Sequence, residues 1–349
     1  MPSAMTSRQR LLTALRCQPP DRVPFLESVV DEGVALALLG KTPPGFKTSE
    51  LGSGESPVLT GALLESQHYT PLELAEAMQL DAFGMYCFVK HGGVSREVDG
   101  HSMIAGGTIK TRADLNAIRL PDPDDEALYE PFRQFIARYR DSGKALFCFL
   151  NIGSDPVILG MGFETFAAAV YDDRPLLEDL FALYTGWYAR AAAHLSALDF
   201  DFLWFGDDIA FKTQPYVSPR VFRQLFLPHY RKVIENVRKP WIFHSDGNLL
   251  PVLDDLLSLG LNGLHPIEPD AMDLAWLKQR YGQSLCLVGH VSVDTLCRGT
   301  PQEVDDLVRR AIEIAAPGGG YIAGSSNSIP YYADPRNVRA LSEAIRKYG

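Results

Sequence analysis

The chain has 349 residues, with 33 Lys and Arg against 43 Asp and Glu, which gives a formal net charge of −10. Hydrophobic residues make up 46% and charged residues 22%, a composition that supplies a large core and excludes a disordered chain. The acidic balance argues against a partner made of nucleic acid or an anionic membrane, because both favour Lys and Arg.

The chain carries no sign of membrane insertion or export. No apolar run reaches the roughly 18 to 20 residues needed to cross a bilayer. The first ten residues, MPSAMTSRQR, lack the apolar core of a signal peptide. Five cysteines, an odd number without a CxxC pair, indicate buried thiols in a reducing compartment. We therefore expect a cytoplasmic protein.

Short apolar runs alternate with amphipathic helical segments along the chain. Eight runs predict strands: Val23–Leu26, Leu80–Phe88, Ala145–Ile152, Phe200–Phe205, Trp241–Phe243, Gly263–Leu264, Leu285–Val288 and Tyr321–Ala323. The clearest helical segments are Glu126–Tyr139, Arg174–Leu198, Pro219–Val237, Leu249–Leu259, Asp273–Tyr281 and Pro301–Ala316. Continuous apolar strands that alternate with helices indicate parallel strands covered by helices.

Eight such units predict one α/β domain over residues 1–349, a (β/α)8 (TIM) barrel rather than an open sheet. No GxGxxG follows an early strand, which argues against dinucleotide binding. Extra residues at about 91–112, after the second strand, predict a small β-ribbon from Ser95–Val98, Gly100–Met103 and Thr108–Thr111. The ribbon is either a lid over the barrel mouth or a surface feature.

Polar residues directly after barrel strands converge on one mouth, where barrel active sites are built. Those found here are Glu27, Tyr86, Asn151, Asp155, Asp207, Asp208, His244, Asp246, His265, Glu268, His290, Ser325, Ser326 and Asn327. Tyr86, Asn151 and His265 are candidate substrate-binding residues, as is Glu27.

His244 and Asp246 stand two residues apart at a strand end, so both side chains point the same way. An imidazole with a carboxylate suits Zn²⁺, or Fe or Mn with further ligands. Local spacing fixes no third ligand. The alternative is that Asp246 caps the following helix while His244 hydrogen-bonds a neighbouring strand.

Asp207 and Asp208 directly follow a strand, and adjacent carboxylates on an extended chain point to opposite sides. One of them is therefore a candidate general acid, since crowding raises a carboxyl pKa. The alternative is that one of them caps the next helix and the other pairs with Lys212 or an arginine.

His244, His265 and His290 end three successive strands, which leaves a three-histidine zinc site open. His290 serves equally well as a proton donor. In the last loop, Ser325, Ser326 and Asn327 offer donors for a carboxylate or phosphate, or form an ordinary turn before a helix.

Several segments together carry a resemblance to a known superfamily. They are Arg8–Leu15 (RQRLLTAL), Pro20–Pro24 (PDRVP), Phe243–Asn248 (FHSDGN), Leu264–Glu268 (LHPIE), Gly299–Val304 (GTPQEV) and Ala316–Gly320 (APGGG). The chain resembles the uroporphyrinogen decarboxylase superfamily, which includes methylcobamide:coenzyme M methyltransferases and related corrinoid-dependent enzymes. The resemblance implies a single (β/α)8 barrel with its site at the C-terminal mouth.

The porphyrinogen-decarboxylase branch is the poorer match. Its arginine-rich RQAGR segment, which grips substrate carboxylates, is replaced by the acidic stretch Phe25–Glu32. The FSD stretch that follows Asp81 in that branch is replaced by Met85–Cys87, and its late histidine gives way to Ser326–Ser328. The resemblance therefore disfavours a tetrapyrrole with eight acidic arms.

The methyltransferase branch is closer, because its zinc motif H-x-C aligns with His244-Ser-Asp246. Its later cysteine ligand is replaced in the loop Gly324-Ser325-Ser326-Asn327. The resemblance implies Zn²⁺ or another divalent metal at His244 and Asp246, with Glu268 or His290 completing the set.

The sequence thus predicts a methyltransferase that acts with a corrinoid or a small methylated substrate. Decarboxylation of a porphyrinogen or another carboxylate is one alternative. A corrinoid- or tetrapyrrole-binding protein without catalysis is another. The expected partners are a small-molecule substrate and a corrinoid protein, with neither nucleic acid nor a membrane, and a homodimer is left open.

Overall fold

The computed structural model describes residues 4–42, 58–98 and 101–349. The strands are β1 Val58–Ala62, β2 Ala82–Val89, β3 Gly93–Val98, β4 His101–Gly107, β5 Ala145–Leu150, β6 Phe202–Gly206, β7 Trp241–His244, β8 Gly263–His265, β9 Cys286–Val288 and β10 Tyr321–Ile322. One sheet runs in the order β1-β2-β5-β6-β7-β8-β9-β10, and β3 pairs with β4 alone. From β2 to β10 every neighbouring pair in the large sheet is parallel.

Helices connect these strands. They are α1 Ser7–Leu15, α2 Glu32–Leu39, α3 Pro71–Ala77, α4 Arg112–Ala117, α5 Glu130–Tyr139, α6 Ser154–Met161, α7 Phe163–Asp172, α8 Arg174–Ala197, α9 Pro219–Val221, α10 Leu227–Ile234, α11 Leu253–Leu257, α12 Leu274–Tyr281, α13 Val293–Arg298, α14 Pro301–Ala315 and α15 Pro335–Tyr348. Within the described ranges, no helix has the length and apolarity needed to cross a membrane.

The sheet closes through the segment predicted as the first strand, Val23–Leu26. This segment forms an isolated parallel bridge, Phe25 to Ala323, rather than a regular strand. Ala323 N donates to the carbonyl of Pro24 at 2.9 Å, and on the other side Asp81 N donates to the carbonyl of Phe25 at 2.8 Å. The segment therefore lies between β10 and the start of β2, and the predicted (β/α)8 barrel is confirmed.

The other seven predicted strands are present, with ends displaced by at most two residues. Their apolar runs were recognisable because parallel barrel strands are covered on both faces. All five residues of Phe202–Gly206, for example, are buried.

Strand β1 was not predicted from the sequence. It pairs antiparallel with β2, from Val58 opposite Val89 to Ala62 opposite Met85. Only Val58 of its five residues is buried. A short, half-buried strand that contains Thr60 and Gly61 lacks the continuous apolar run that marked the others.

A two-stranded antiparallel ribbon, β3 and β4, follows β2. Gly100, the first residue of the predicted strand Gly100–Met103, lies outside the described residues. The prediction of a strand at Thr108–Thr111 is wrong, because Thr111 instead caps α4 by accepting from Asp114 N. The ribbon packs on α6, where a Cβ on Gly107 would lie 2.2 Å from the carbonyl oxygen of Gly160. Glycine is therefore required at this contact.

Two helices predicted as continuous are interrupted. The segment predicted at Pro219–Val237 ends at Ile234 and contains a π-helical turn, Phe222–Phe226. That turn directly precedes Pro228, which has no N–H for the regular ladder. The segment predicted at Leu249–Leu259 is a 3₁₀ turn, Leu250–Val252, followed by α11.

Candidate functional site

Three side chains meet where β6 and β7 end. The register places Gly206 opposite His244, so Asp208, two residues past β6, lies beside the His244-Ser-Asp246 segment. Nε2 of His244 is 3.8 Å from Oδ1 of Asp208 and 3.8 Å from Oδ1 of Asp246. One ligand atom from each residue lies within 4.8 Å of the others. We call Asp208, His244 and Asp246 the metal triad.

The carboxylate of Asp246 is held with one oxygen free. The amide nitrogen of Asn327 donates to Oδ2 at 2.7 Å, and the backbone N–H of Asp246 donates to Oδ1 of Asp208 at 2.9 Å. Oδ1 of Asp246 is buried and has no hydrogen-bond partner. Burial and the nearby charges of Asp208 and Glu268 raise the pKa of Asp246 to about 7. This buried, unsatisfied acceptor requires a proton or a cation.

His244 is oriented by His265. Their Nδ1 atoms are 2.7 Å apart, and the rings stack with centroids 5.0 Å apart. Trp204 packs its edge against His265. Burial lowers the pKa of both imidazoles, and the charge of His244 lowers that of His265 further. When the shared proton is on Nδ1 of His244, its Nε2 lone pair faces the two carboxylates.

These donors fit a divalent metal. One imidazole nitrogen and two carboxylate oxygens suit Zn²⁺, Fe or Mn. Ligand atoms around tetrahedral Zn²⁺ lie about 3.4 Å apart. The 3.8 Å separations of the triad are close to that value. None of the five cysteines belongs to the triad, so the donor set lacks thiolate.

Glu268 and His290 were predicted to complete the metal set, and the structure places them outside the triad. Oε2 of Glu268 accepts from Gly247 N at 2.6 Å, so Glu268 holds the loop that follows the triad. Nδ1 of His290 donates to the carbonyl of Ile267 at 2.9 Å, which leaves Nε2 free. His290 has φ of 100°, a conformation costing about 1–3 kcal/mol for a non-glycine residue. Neither His265 nor His290 supports the three-histidine arrangement.

Asp207 and Asp208 contact different partners, as adjacent carboxylates on an extended chain should. Asp207 is fully buried and accepts from the backbone N–H groups of Ile152, Gly153 and Ser154 and from Oγ of Ser154. Burial raises its pKa to about 6. Asp207 therefore binds the N-terminus of α6, a helix that precedes it in the chain. The predicted alternative of a cap on the next helix is wrong, because Ser218 caps that helix, and Asp208 reaches the metal triad.

Asp155, predicted at the barrel mouth, and Tyr216, which was not predicted, stand beside the triad. Oδ1 of Asp155 accepts from Asp208 N at 2.9 Å, and burial with the charges of Asp207 and Asp208 raises the pKa of Asp155 well above its usual range. Burial raises the pKa of the Tyr216 hydroxyl, and the charges of Asp208, Asp155 and Asp246 raise it further. Tyr216 therefore lies near these three acids. Tyr216 sits in the loop after β6, and no sequence pattern marks it.

Asn151 is held by the barrel wall. Its side-chain nitrogen donates to the carbonyl of Gly206 at 2.6 Å, and its oxygen accepts from the hydroxyl of Tyr188 at 3.1 Å. Its polar atoms are thus engaged by the protein, and binding of substrate by Asn151 stays a prediction.

An aromatic surface, formed by Tyr86, Phe88 and Phe149, adjoins the triad. All three side chains are half-buried. The rings of Tyr86 and Phe88 stack at 5.5 Å, and Phe149 lies 5.6 Å from Phe88 and 6.1 Å from the ring of His244. This surface is an apolar wall close to the triad.

Glu27 and the last barrel loop form a second buried cluster. Glu27 is 1% exposed; its Oε1 accepts from Ser325 N at 2.7 Å and its Oε2 lies 2.6 Å from Oγ of Ser325. Burial raises the pKa of Glu27 to about 8. Oγ of Ser326 accepts from Val293 N and holds the start of α13. Asn327, in the same loop, hydrogen-bonds Asp246 of the triad.

A cleft of about 360 Å³ lies among the loops that include Glu268 and Asn327. Its lining includes Glu268, Ser326 and Asn327, together with Lys212 and Tyr332. Lys212 pairs with Asp270 at 3.1 Å. Ser326 and Asn327 therefore line this cleft as well as supporting the loop, and binding of substrate there stays a prediction.

Residues 103–348 match the model of the family described as uroporphyrinogen decarboxylase (URO-D). The chain belongs to the uroporphyrinogen decarboxylase family. A methylated-thiol–coenzyme M methyltransferase from Methanosarcina mazei is 24% identical over 152 residues, which is 41% of this chain and 39% of that relative. The structure of a methyltransferase from Methanosarcina mazei matches with a TM-score of 0.72 and 19% identity, covering 99% of both chains. The superfamily resemblance is thus confirmed, and the structural match confirms the fold.

Proposed function

We propose that the chain is a metal-dependent methyltransferase that exchanges a methyl group between a small substrate and a corrinoid at the metal triad. The observation that carries this proposal is the buried Oδ1 of Asp246, which has no hydrogen-bond partner. It lies 3.8 Å from Nε2 of His244, which is also 3.8 Å from Asp208. The methyltransferase relatives support the reaction class.

Asp208, His244 and Asp246 would hold a divalent metal such as Zn²⁺. When bound, such an ion supplies Lewis acidity, which lowers the pKa of a substrate thiol or activates another methyl donor or acceptor. His265 orients His244 through the 2.7 Å contact between their Nδ1 atoms. Both carboxylates would bind the metal in their ionised form. The carboxylate oxygen of Asp246, a harder ligand than sulfur, takes the place of the thiolate in the family's zinc motif.

The neighbouring residues position the substrate and move protons. Phe88, Phe149 and Tyr86 give the methyl group an apolar contact that excludes water. Nε2 of His290 is free to give or take a proton, since Nδ1 already donates to Ile267. The methyl group moves without the electron pair of the broken bond. The donor's heteroatom keeps that pair and then takes a proton, whereas an acceptor thiol that receives the methyl group gives up its proton. Glu268 and Asn327 fix the loops around the triad.

The proposed partners are a small methylated or methyl-accepting molecule and a protein-bound corrinoid. The five cysteines are free, which agrees with the cytoplasmic location proposed from the sequence.

Decarboxylation of a porphyrinogen is the competing reaction within the family. The mouth carries Asp208, Asp246 and Glu268, whose negative charge repels a substrate with many carboxylates. Incubation with uroporphyrinogen should therefore release no carbon dioxide. A binding protein without catalysis would instead give corrinoid spectral shifts without turnover, and substitution of His244 would weaken binding alone.

The test begins with metal analysis of the purified protein and continues with methyl transfer from a panel of methylated thiols, amines and ethers to cob(I)alamin, followed by the loss of cob(I)alamin absorbance. We expect about one metal per chain and turnover with at least one donor, and H244A should lose both. An absence of metal and of transfer across the panel would refute the proposal.

A further inference from the structure

Glu27 and Ser325 connect the first and last segments of the barrel, although 298 positions separate them in the chain. Both residues are buried, at 1% and 0% exposure. Oε1 of Glu27 accepts the backbone N–H of Ser325 at 2.7 Å, while Oε2 lies 2.6 Å from the hydroxyl oxygen of the same serine. The same hydroxyl also contacts the carbonyl oxygen of Asn327.

The hydroxyl of Ser325 has one proton and two oxygen neighbours. The carbonyl of Asn327 can only accept, so the serine proton belongs to that bond. The contact with Oε2 of Glu27 is then a hydrogen bond only if Glu27 supplies its own proton. With an ionised Glu27, two acceptor oxygens would compete for one buried proton. When both contacts of the Ser325 hydroxyl are hydrogen bonds, proton counting gives a neutral Glu27 carboxyl, and the raised pKa of Glu27 agrees.

The loop held in this way ends on the metal triad. Nδ2 of Asn327 donates to Oδ2 of Asp246 at 2.7 Å, and this bond turns Oδ1 away from the loop. Oδ1 is the buried atom without a partner, 3.8 Å from His244. Direct contacts therefore lead from Glu27 to Ser325, from Ser325 to Asn327, and from Asn327 to Asp246.

We propose that Glu27 is a neutral carboxylic acid and a positioning residue, which acts through Ser325 and Asn327 to aim Asp246 at the metal. The last step rests on the proposed metal site. The contacts from Glu27 to Ser325 and from Ser325 to Asn327 need no metal and are therefore expected in the metal-free protein.

Two substitutions separate this role from a general effect of burial. Glu27→Gln keeps the bonding pattern of a neutral acid, because its oxygen accepts from Ser325 N and its amide donates to Oγ. Glu27→Ala removes both bonds and leaves a cavity. If Glu27→Ala does not fold, Ser325→Ala removes the hydroxyl and its contacts with Glu27 and Asn327, while the backbone bond to Oε1 of Glu27 remains.

Three measurements follow. The infrared difference spectrum of wild type minus E27Q at pH 7 should show a protonated carboxyl band. Hydrogen exchange of the metal-free proteins should be faster over residues 323–329 in E27A, or S325A, and unchanged in E27Q. Calorimetric titration with Zn²⁺ should show affinity weakened about 10- to 100-fold in E27A or S325A, as for other supporting residues of metal ligands, and within about 3-fold of wild type in E27Q.

The outcomes are distinguishable. A carboxylate signal without a protonated band, or E27A and S325A that exchange and bind Zn²⁺ as wild type does, would overturn the inference. If wild type itself binds no Zn²⁺ while the infrared and exchange results are as expected, the proposed metal function fails and the role of Glu27 in the loop stands.

Discussion

The imidazoles of His244 and His265 stack on each other and share a proton between Nδ1 atoms 2.7 Å apart. Both have lowered pKa values, chiefly because they are buried. A neutral imidazole whose second nitrogen is engaged is the form in which histidine binds metals. This contact therefore connects the barrel interior, where Trp204 packs on His265, to the metal triad at the mouth.

We predict that His265→Phe weakens metal binding without unfolding the barrel. Phenylalanine keeps a ring beside Trp204 but offers no nitrogen to His244. The loss of such a supporting partner costs about 10- to 100-fold in metal affinity. Calorimetric titration of the metal-free variant with Zn²⁺ measures the change, and far-ultraviolet circular dichroism checks the fold. Wild-type affinity in H265F would show that His265 does not orient His244.

The second prediction distinguishes Asp208 from Glu268 as the third ligand. Asp208→Asn replaces a ligand of the triad with a neutral amide and should lower Zn²⁺ affinity by roughly 100-fold. Glu268→Gln still accepts from Gly247 N and should change the affinity by less than about 10-fold. Equilibrium dialysis at pH 8 compares the two variants. The reverse order of the two losses would favour the ligand set expected from the sequence, with Glu268 as ligand.

The third prediction is a pH dependence of metal affinity. The pKa of Asp246 is raised to about 7 in the metal-free site, and a metal binds the ionised carboxylate. Below pH 7 a proton must leave first, so the apparent affinity should fall about tenfold for each pH unit, and it should level off above pH 7. Glu268→Gln removes one of the charges that raise this pKa. Its midpoint should therefore shift to lower pH, and an unshifted midpoint would contradict the assignment.

The fourth prediction concerns the buried neighbour of Asp208. Asp207→Asn puts an amide NH₂ group against donors at the start of α6, and the unsatisfied groups should cost about 1–3 kcal/mol of unfolding free energy. Asp208→Asn is the matched control, because its half-exposed side chain should change stability by about 0.5 kcal/mol or less. Urea unfolding of the metal-free proteins measures both. Equal stabilities would argue against the helix-cap role of Asp207.

The barrel was predictable because its strands are buried on both faces and their apolar runs are continuous. The first strand was predicted too, although the structure reduces it to the single bridge from Phe25 to Ala323. The half-buried β1 gives no such run and was missed. Within the site, the i, i+2 spacing of His244 and Asp246 was enough to predict that both side chains face one way.

The rest of the site depends on register between strands, which local sequence does not encode. Whether Asp207 or Asp208 faces the triad follows from the pairing of Gly206 with His244. The bond from Asn327 to Asp246 spans 81 residues, and that from Ser325 to Glu27 spans 298. Glu268 looked equally suitable as a ligand, and its bond to Gly247 N became evident only in three dimensions.

X-ray absorption spectroscopy of the zinc-loaded protein tests the central claim most directly, because it identifies the atoms bound to the metal. We predict only nitrogen and oxygen neighbours, at about 2.0–2.2 Å, with one imidazole contribution that disappears in H244A. A sulfur neighbour at about 2.3 Å, or a spectrum unchanged by H244A, would contradict a metal centre built from Asp208, His244 and Asp246.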